Sequence, residues 1–126
     1  MDADERDLVS ERVIGAAIEV HRILGPGLLE SVYQKCLCHE LTLRGVNHRP
    51  QVELPVLYKQ VDLGCEFFMD LVVEDELVVE LKAVEKLVPI HEAQLLTYLR
   101  LSGYRRGLLI NFNVPLLKDG LRRRAL

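Results

Sequence analysis

The chain reads as a mixed α/β (α+β) protein with a central mixed four-stranded sheet flanked by helices, in the order ααβββαβ. Three observations predict this. Apolar residues recur at helical spacing in two early segments, residues 6–24 and 28–44. Between residues 46 and 82 the period shortens to the alternation and apolar runs of strands. A third helical segment opened by Pro89 is followed by the continuous apolar centre of a buried strand, residues 105–112. Helices that bury one stripe and strands that bury a face must pack in layers.

The first helix carries Val9, Val13, Ala16, Ala17, Val20 and Leu24 as its stripe, with Arg6, Arg12, Glu19 and Arg22 mostly off it. Gly25-Pro26-Gly27 ends it, because glycine and proline break helices. The second helix closes at Gly45. At ~100° per residue, its Leu37 and Leu41 fall within about 20° of Glu30, and Tyr33 about 60° away. Glu30 therefore points with the packing face. It either caps the first turn, where the helix dipole favours an anion, or reaches towards the sheet as an acidic group.

Val52, Leu54, Val56 and Tyr58 alternate with Gln51, Glu53, Pro55 and Leu57, which predicts a strand with an edge position or bulge at Pro55. Asp62-Leu63-Gly64 is a turn, and residues 65–86 then read as a hairpin with an acidic tip. Pro89 suits the first turn of the third helix, which runs to about residue 102 before Gly103. Leu95, Leu96 and Leu99 form its apolar face, with Gln94 and Tyr98 as i, i+4 neighbours near His91. The return to a strand at 105–112 is a crossover back into the sheet. From Pro115 onward no element is predicted.

Residues 1–126 are long enough for one domain with a real core. Hydrophobic residues make up 49% and charged residues 28%, and no apolar run has the ~20 residues a membrane span needs. The acidic start (Asp2, Asp4, Glu5, Asp7) differs from a secretory signal, so a cytoplasmic location is expected. Cys36, Cys38 and Cys65 are expected to be free thiols. Cys36-x-Cys38-His39 imitates a metal motif, but i and i+2 diverge on a helix, so packing roles are predicted. The net charge of −3 excludes a globally basic nucleic-acid binder. From Arg100 onward, however, seven basic residues stand against one acid, Asp119, leaving both a phosphate-facing tail and a solvated end as readings.

The hairpin carries the chemistry. Inside its apolar runs sit Asp70, Glu80 and Lys82. Alternation puts Glu80 and Lys82 on one face. With a three-residue turn, Glu74-Asp75-Glu76, Val73 faces Leu77 and Asp70 faces Glu80 at a Cβ separation of ~5 Å. Two carboxylates that close raise each other's pKa, and a divalent cation between them relieves it. A wet strand face bearing Glu80 and Lys82, with Asp70 paired to a surface lysine, is the alternative.

A helix with an acid, a meander carrying Asp then Glu-x-Lys, a helix and a strand resemble the PD-(D/E)XK nuclease superfamily, the restriction-endonuclease-like fold. Gly27-Leu28-Leu29-Glu30-Ser31-Val32-Tyr33 is similar to the motif naming the GxxExxY protein family. Residues 67–74, 79–85, 91–99 and 107–112 look like its central strands, helix and closing strand, so the resemblance covers roughly residues 8–115. It implies Asp70 and Glu80 as Mg²⁺ ligands (Mn²⁺ as substitute), with Glu30 binding metal directly or through water. It implies Lys82 as the residue that orients or activates the attacking water. Gln94 and Tyr98 match a Gln-x-x-x-Tyr element of RecB-like members that supports the site. Met69 stands where the superfamily has proline, at a position that supplies no ligand. The implied activity is Mg²⁺-dependent hydrolysis of phosphodiester bonds, most naturally in DNA, with a homodimer or protein partner supplying specificity. The rival readings are a non-catalytic nucleic-acid- or protein-binding module and a buried ion-pair network.

Overall fold

The computed structural model describes residues 3–126 apart from Cys65, with side chains from Leu8 onward. The expected thiol at Cys65 and the off-stripe placement of Arg6 lie outside the described residues. The chain runs α1 (Ala3–Leu24), α2 (Glu30–Leu43), β1 (His48–Glu53), β2 (Leu57–Tyr58), β3 (Val61–Asp62), β4 (Phe68–Val73), β5 (Leu77–Lys82), α3 (Pro89–Ser102), β6 (Arg106–Asn111) and β7 (Leu121–Ala125). A short 3₁₀ turn, Leu117–Gly120, precedes β7.

The main sheet has five strands in the order β1-β4-β5-β6-β7, all antiparallel except the β5–β6 pair. That parallel pair needs the α3 crossover, as expected. Val13, Tyr33, Leu37, Leu71, Val79, Leu81 and Ile110 belong to one core, between the sheet and α1–α2. Val72, Val78, Leu95, Leu99 and Leu109 belong to the other, between the sheet and α3. β5 is covered on both faces, which is why its sequence is apolar without alternation.

Two strands differ from expectation. The predicted strand through Tyr58 stops at Glu53, and Leu57–Tyr58 pairs instead with Val61–Asp62 in a separate ribbon. Lys59 and Gln60 have φ of 50° and 67°, so the tight turn forms without the glycine that would have announced it. The sheet is also five-stranded, not four-stranded, because residues 121–125 add antiparallel to β6. A Leu-Arg-Arg-Arg-Ala sequence reads as a solvated end, yet edge strands tolerate charge. Arg123 pairs with Glu11 at 2.6 Å and Arg124 with Glu92 at 2.6 Å, so the basic tail is an edge strand facing acids. Such partly exposed pairs contribute at most ~1 kcal/mol each. The ladder to β6 is therefore the main tether of β7.

Gly120 allows that strand to enter. A Cβ there would stand 2.1 Å from the Asn111 carbonyl oxygen, a backbone atom that cannot step aside. At Gly107, a Cβ would meet Leu95 side-chain atoms, the nearest at 2.7 Å. Leucine can rotate, at some cost in packing. We expect Gly120→Ala to destabilise the fold by about 3 kcal/mol and Gly107→Ala by about 1 kcal/mol, spanning the usual range for overpacking. Urea unfolding of both variants checks the order; equal, small losses would contradict it.

Candidate active site

The site begins with how α2 is placed. Gly25 and Gly27 adopt φ of 70° and 101°, which turns the chain sharply after α1. Tyr33, fully buried, donates its hydroxyl to the Gly25 carbonyl at 2.6 Å and accepts from the Leu28 N–H at 3.2 Å. Its ring stacks on Phe112 at 4.5 Å and 5°. Tyr33 thus ties the incoming loop to the core and sets where α2 starts. Glu30 is the first residue of that helix and is half-buried. Glu30 stands in the first turn of α2, where the helix dipole favours an anion, and Leu29 before it makes no side-chain cap.

The three-residue turn holds, and β4 pairs β5 through Val73↔Leu77, Val72↔Val78 and Leu71↔Val79. The next position, where Asp70 faces Glu80, leaves the ladder. There the Asp70 N–H donates to the Glu80 carboxyl at 2.8 Å, and the Leu81 N–H donates to the Asp70 carboxyl at 2.8 Å. Each acid takes a backbone donor from the opposite strand. Glu80 is only 4% exposed. Burial, and then the neighbouring Asp70 charge, push its pKa up to about 9, with Lys82 opposing. The wet-face alternative fails at Glu80 for the same reason.

Lys82 donates its Nζ to Gln94 Oε1 at 3.1 Å, and Gln94 Nε2 donates to the Tyr98 hydroxyl at 3.1 Å. The i, i+4 pair on α3 is therefore a relay that aims the lysine. Burial raises the Tyr98 pKa, and the charges of Glu80 and Asp70 add to this. His91 stands apart: its Nδ1 accepts from the Val88 N–H and closes the start of α3. Glu30 has its pKa raised by burial and then by Asp70, and lowered by Lys82. Glu30, Asp70, Glu80 and Lys82 thus lie within one electrostatic neighbourhood.

Among the described residues, no three His, Cys, Asp or Glu side chains are gathered closely enough to hold a metal ion. The structure joins Asp70 with Glu80 through hydrogen bonds and sets Glu30 within the influence of the Asp70 charge. Cys36 and Cys38 are partly buried thiols packed against the core. The donor set still suits a hard cation, since Mg²⁺ is usually held by one or two carboxylates and keeps several waters.

Sequence reasoning missed two contributors. Asn111, nearly fully buried, accepts from the Val84 N–H at 3.1 Å and donates to the Val84 carbonyl at 2.9 Å, fixing the chain just after Lys82. Gln34 donates Nε2 to the Asp70 carbonyl at 3.2 Å. Its spacing of four from Glu30 was the available signal.

Glu80 keeps a proton in the fold from its ordinary 4.5 up to about 9, where the unfolded chain has lost it. Stability from this group is whole below that window and falls as pH rises through it. The metal-free Glu80→Gln variant should lose less Tm than wild type between pH 5 and pH 9. Calorimetry across that range tests this; parallel curves would refute the buried-acid assignment.

Comparison with curated proteins and with solved structures returns no significant match. Residues 7–124 match the PD-(D/E)XK nuclease superfamily, whose nucleases generally use divalent metals. With the sheet order and the Asp–Glu-x-Lys hairpin described above, the chain belongs to the PD-(D/E)XK nuclease superfamily.

Proposed function

We propose that the protein is a divalent-metal-dependent nuclease that hydrolyses phosphodiester bonds, with DNA as substrate and Mg²⁺ as the ion. Within its superfamily it is read as a GxxExxY protein, on the strength of Gly27, Glu30 and Tyr33. One observation carries the reading: Asp70 and Glu80 face each other at the open end of the β4–β5 ladder with Lys82 beside them. Two acids so placed cannot both ionise cheaply without a cation. A fold selected for stability alone has little reason to keep that arrangement.

Asp70 and Glu80 would hold the ion, with Glu30 reached through water. A cation bound there supplies a water of lowered pKa and neutralises charge on phosphate oxygens. Lys82 takes the remaining work. Its Nζ, aimed by Gln94, donates to the attacking water or to a phosphate oxygen and holds it in line. Gln94 and Tyr98 support this lysine. The net charge of −3 disfavours tight, sequence-independent grip on long duplexes, so a second copy or a partner protein is the proposed source of specificity.

Incubation with single- and double-stranded DNA and RNA in Mg²⁺ or Mn²⁺ tests the reading. Wild type should cut DNA, and Lys82→Ala should be at least ~100-fold slower, as for loss of a positioned proton-transfer group. Cleavage that persists in Lys82→Ala would overturn it. So would a wild type that binds nucleic acid and never cuts.

A further inference from the structure

The backbone of Asp70 is held in an unusual way. Its N–H is bonded to the Glu80 carboxyl, not to a strand carbonyl. On its other side, β1 pairs with β4 through Pro50↔Leu71 and Val52↔Met69, and the pairing skips Gln51, which stands opposite Asp70. Gln51 has φ of 51°, a left-handed conformation that takes it out of the ladder, and Pro50 before it has no N–H to give. The Asp70 carbonyl instead accepts from Gln34 Nε2 of α2. A carbonyl only accepts, so it fixes the orientation of the Gln34 amide and leaves Gln34 Oε1 facing the other way. That oxygen accepts from Gln51 Nε2 at 3.0 Å. The displaced strand residue thus steadies the glutamine that replaces its ladder contact.

Gln34 lies one helical turn beyond Glu30, on the same side of α2. Its bond to Asp70 therefore joins the helix bearing one acid to the strand bearing another. Glu30 and Asp70 belong to separate elements, and among the described residues the Gln34 amide makes the hydrogen bond that joins α2 to β4. We infer that Gln34, steadied by Gln51, is a positioning residue that sets the geometry of the Asp70–Glu80 pair relative to Glu30 and thereby tunes divalent-cation affinity. The inference rests on the nuclease reading above, and it concerns the hold on the ion, not the chemical step. Outer-shell groups of this kind usually change metal affinity or activity 10- to 100-fold.

The test uses the full chain and Mn²⁺ itself. Mn²⁺ affinity is measured by calorimetry and by the free-ion electron paramagnetic resonance signal, without nucleic acid. Gln34→Met keeps length and helix propensity while removing the donor and the acceptor. It should weaken Mn²⁺ binding about tenfold. Thermal unfolding of the metal-free variant should stay near wild type. In cleavage assays the metal concentration for half-maximal rate should rise by the same factor, with the KM for DNA unchanged. Gln51→Gly suits the positive φ and removes only the steadying amide, so it should give a smaller loss in the same direction. If Gln34→Met does not fold, the Gln51→Gly result decides. Wild-type Mn²⁺ affinity in the folded variants overturns the inference while leaving the nuclease reading intact. A wild type that binds no Mn²⁺, like an Asp70→Asn control, overturns both.

Discussion

Two acids face each other at the end of a β-ladder, and the site is built around that constraint. Asp70 and Glu80 occupy a place where strand backbones would normally bond each other. Instead each carboxyl accepts an N–H from across the gap. The exchange leaves no backbone donor stranded, which matters because an unmet buried donor costs ~1–3 kcal/mol. It also opens the strands where the proposed cation would enter. Burial makes the arrangement consequential: at the surface, water would screen the two charges, whereas the nearly enclosed Glu80 has its ionisation suppressed.

The remaining parts of the core hold that opening in place from both sides of the sheet. On the α1–α2 side, the Tyr33–Phe112 stack contributes roughly 0.5–1.5 kcal/mol beyond burial. It also locks the Gly25–Leu28 loop through the tyrosine hydroxyl. The tyrosine of the Gly-x-x-Glu-x-x-Tyr run is thus a framework residue, and the acid three positions before it is what the framework positions. On the α3 side, Gln94 and Tyr98 carry the lysine. The Lys82 carbonyl accepts from the Phe112 N–H at 3.0 Å, so the strand bearing Lys82 is tied to β6 beyond the site as well.

Charge is distributed by the same logic. Near the C-terminal edge the arginines meet acids of α1 and α3, so β7 adds little unbalanced positive potential. At the far end of the hairpin, Arg49, Asp75 and Tyr104 form a small exposed network, with Tyr104 donating to Asp75 at 2.5 Å and Arg49 donating to Tyr104 at 3.1 Å. It lies at the turn, at the opposite end of β4 and β5 from Asp70 and Glu80. The hairpin is pinned at its tip and open at its base.

Periodicity was enough to determine three helices, the central hairpin and the crossover strand, because each buries a stripe or face that its spacing records. The alignment of Asp70 with Glu80 followed from counting outward from a three-residue turn, and the Gln94–Tyr98 pair from the helical repeat, while only the family resemblance tied that pair to the site of Lys82. Local pattern did not determine the β2–β3 ribbon, whose positive-φ turn residues are not glycine, or β7, whose charges look solvated until α1 and α3 supply acids. Nor did it determine that Asp70 is gripped through its backbone by Gln34 and Glu80. Those contacts join residues 36 and 10 positions apart, and their energy exists only once separate elements have packed. A sequence records which faces are to be buried; which polar atoms then meet across the buried gap is decided by the tertiary fold.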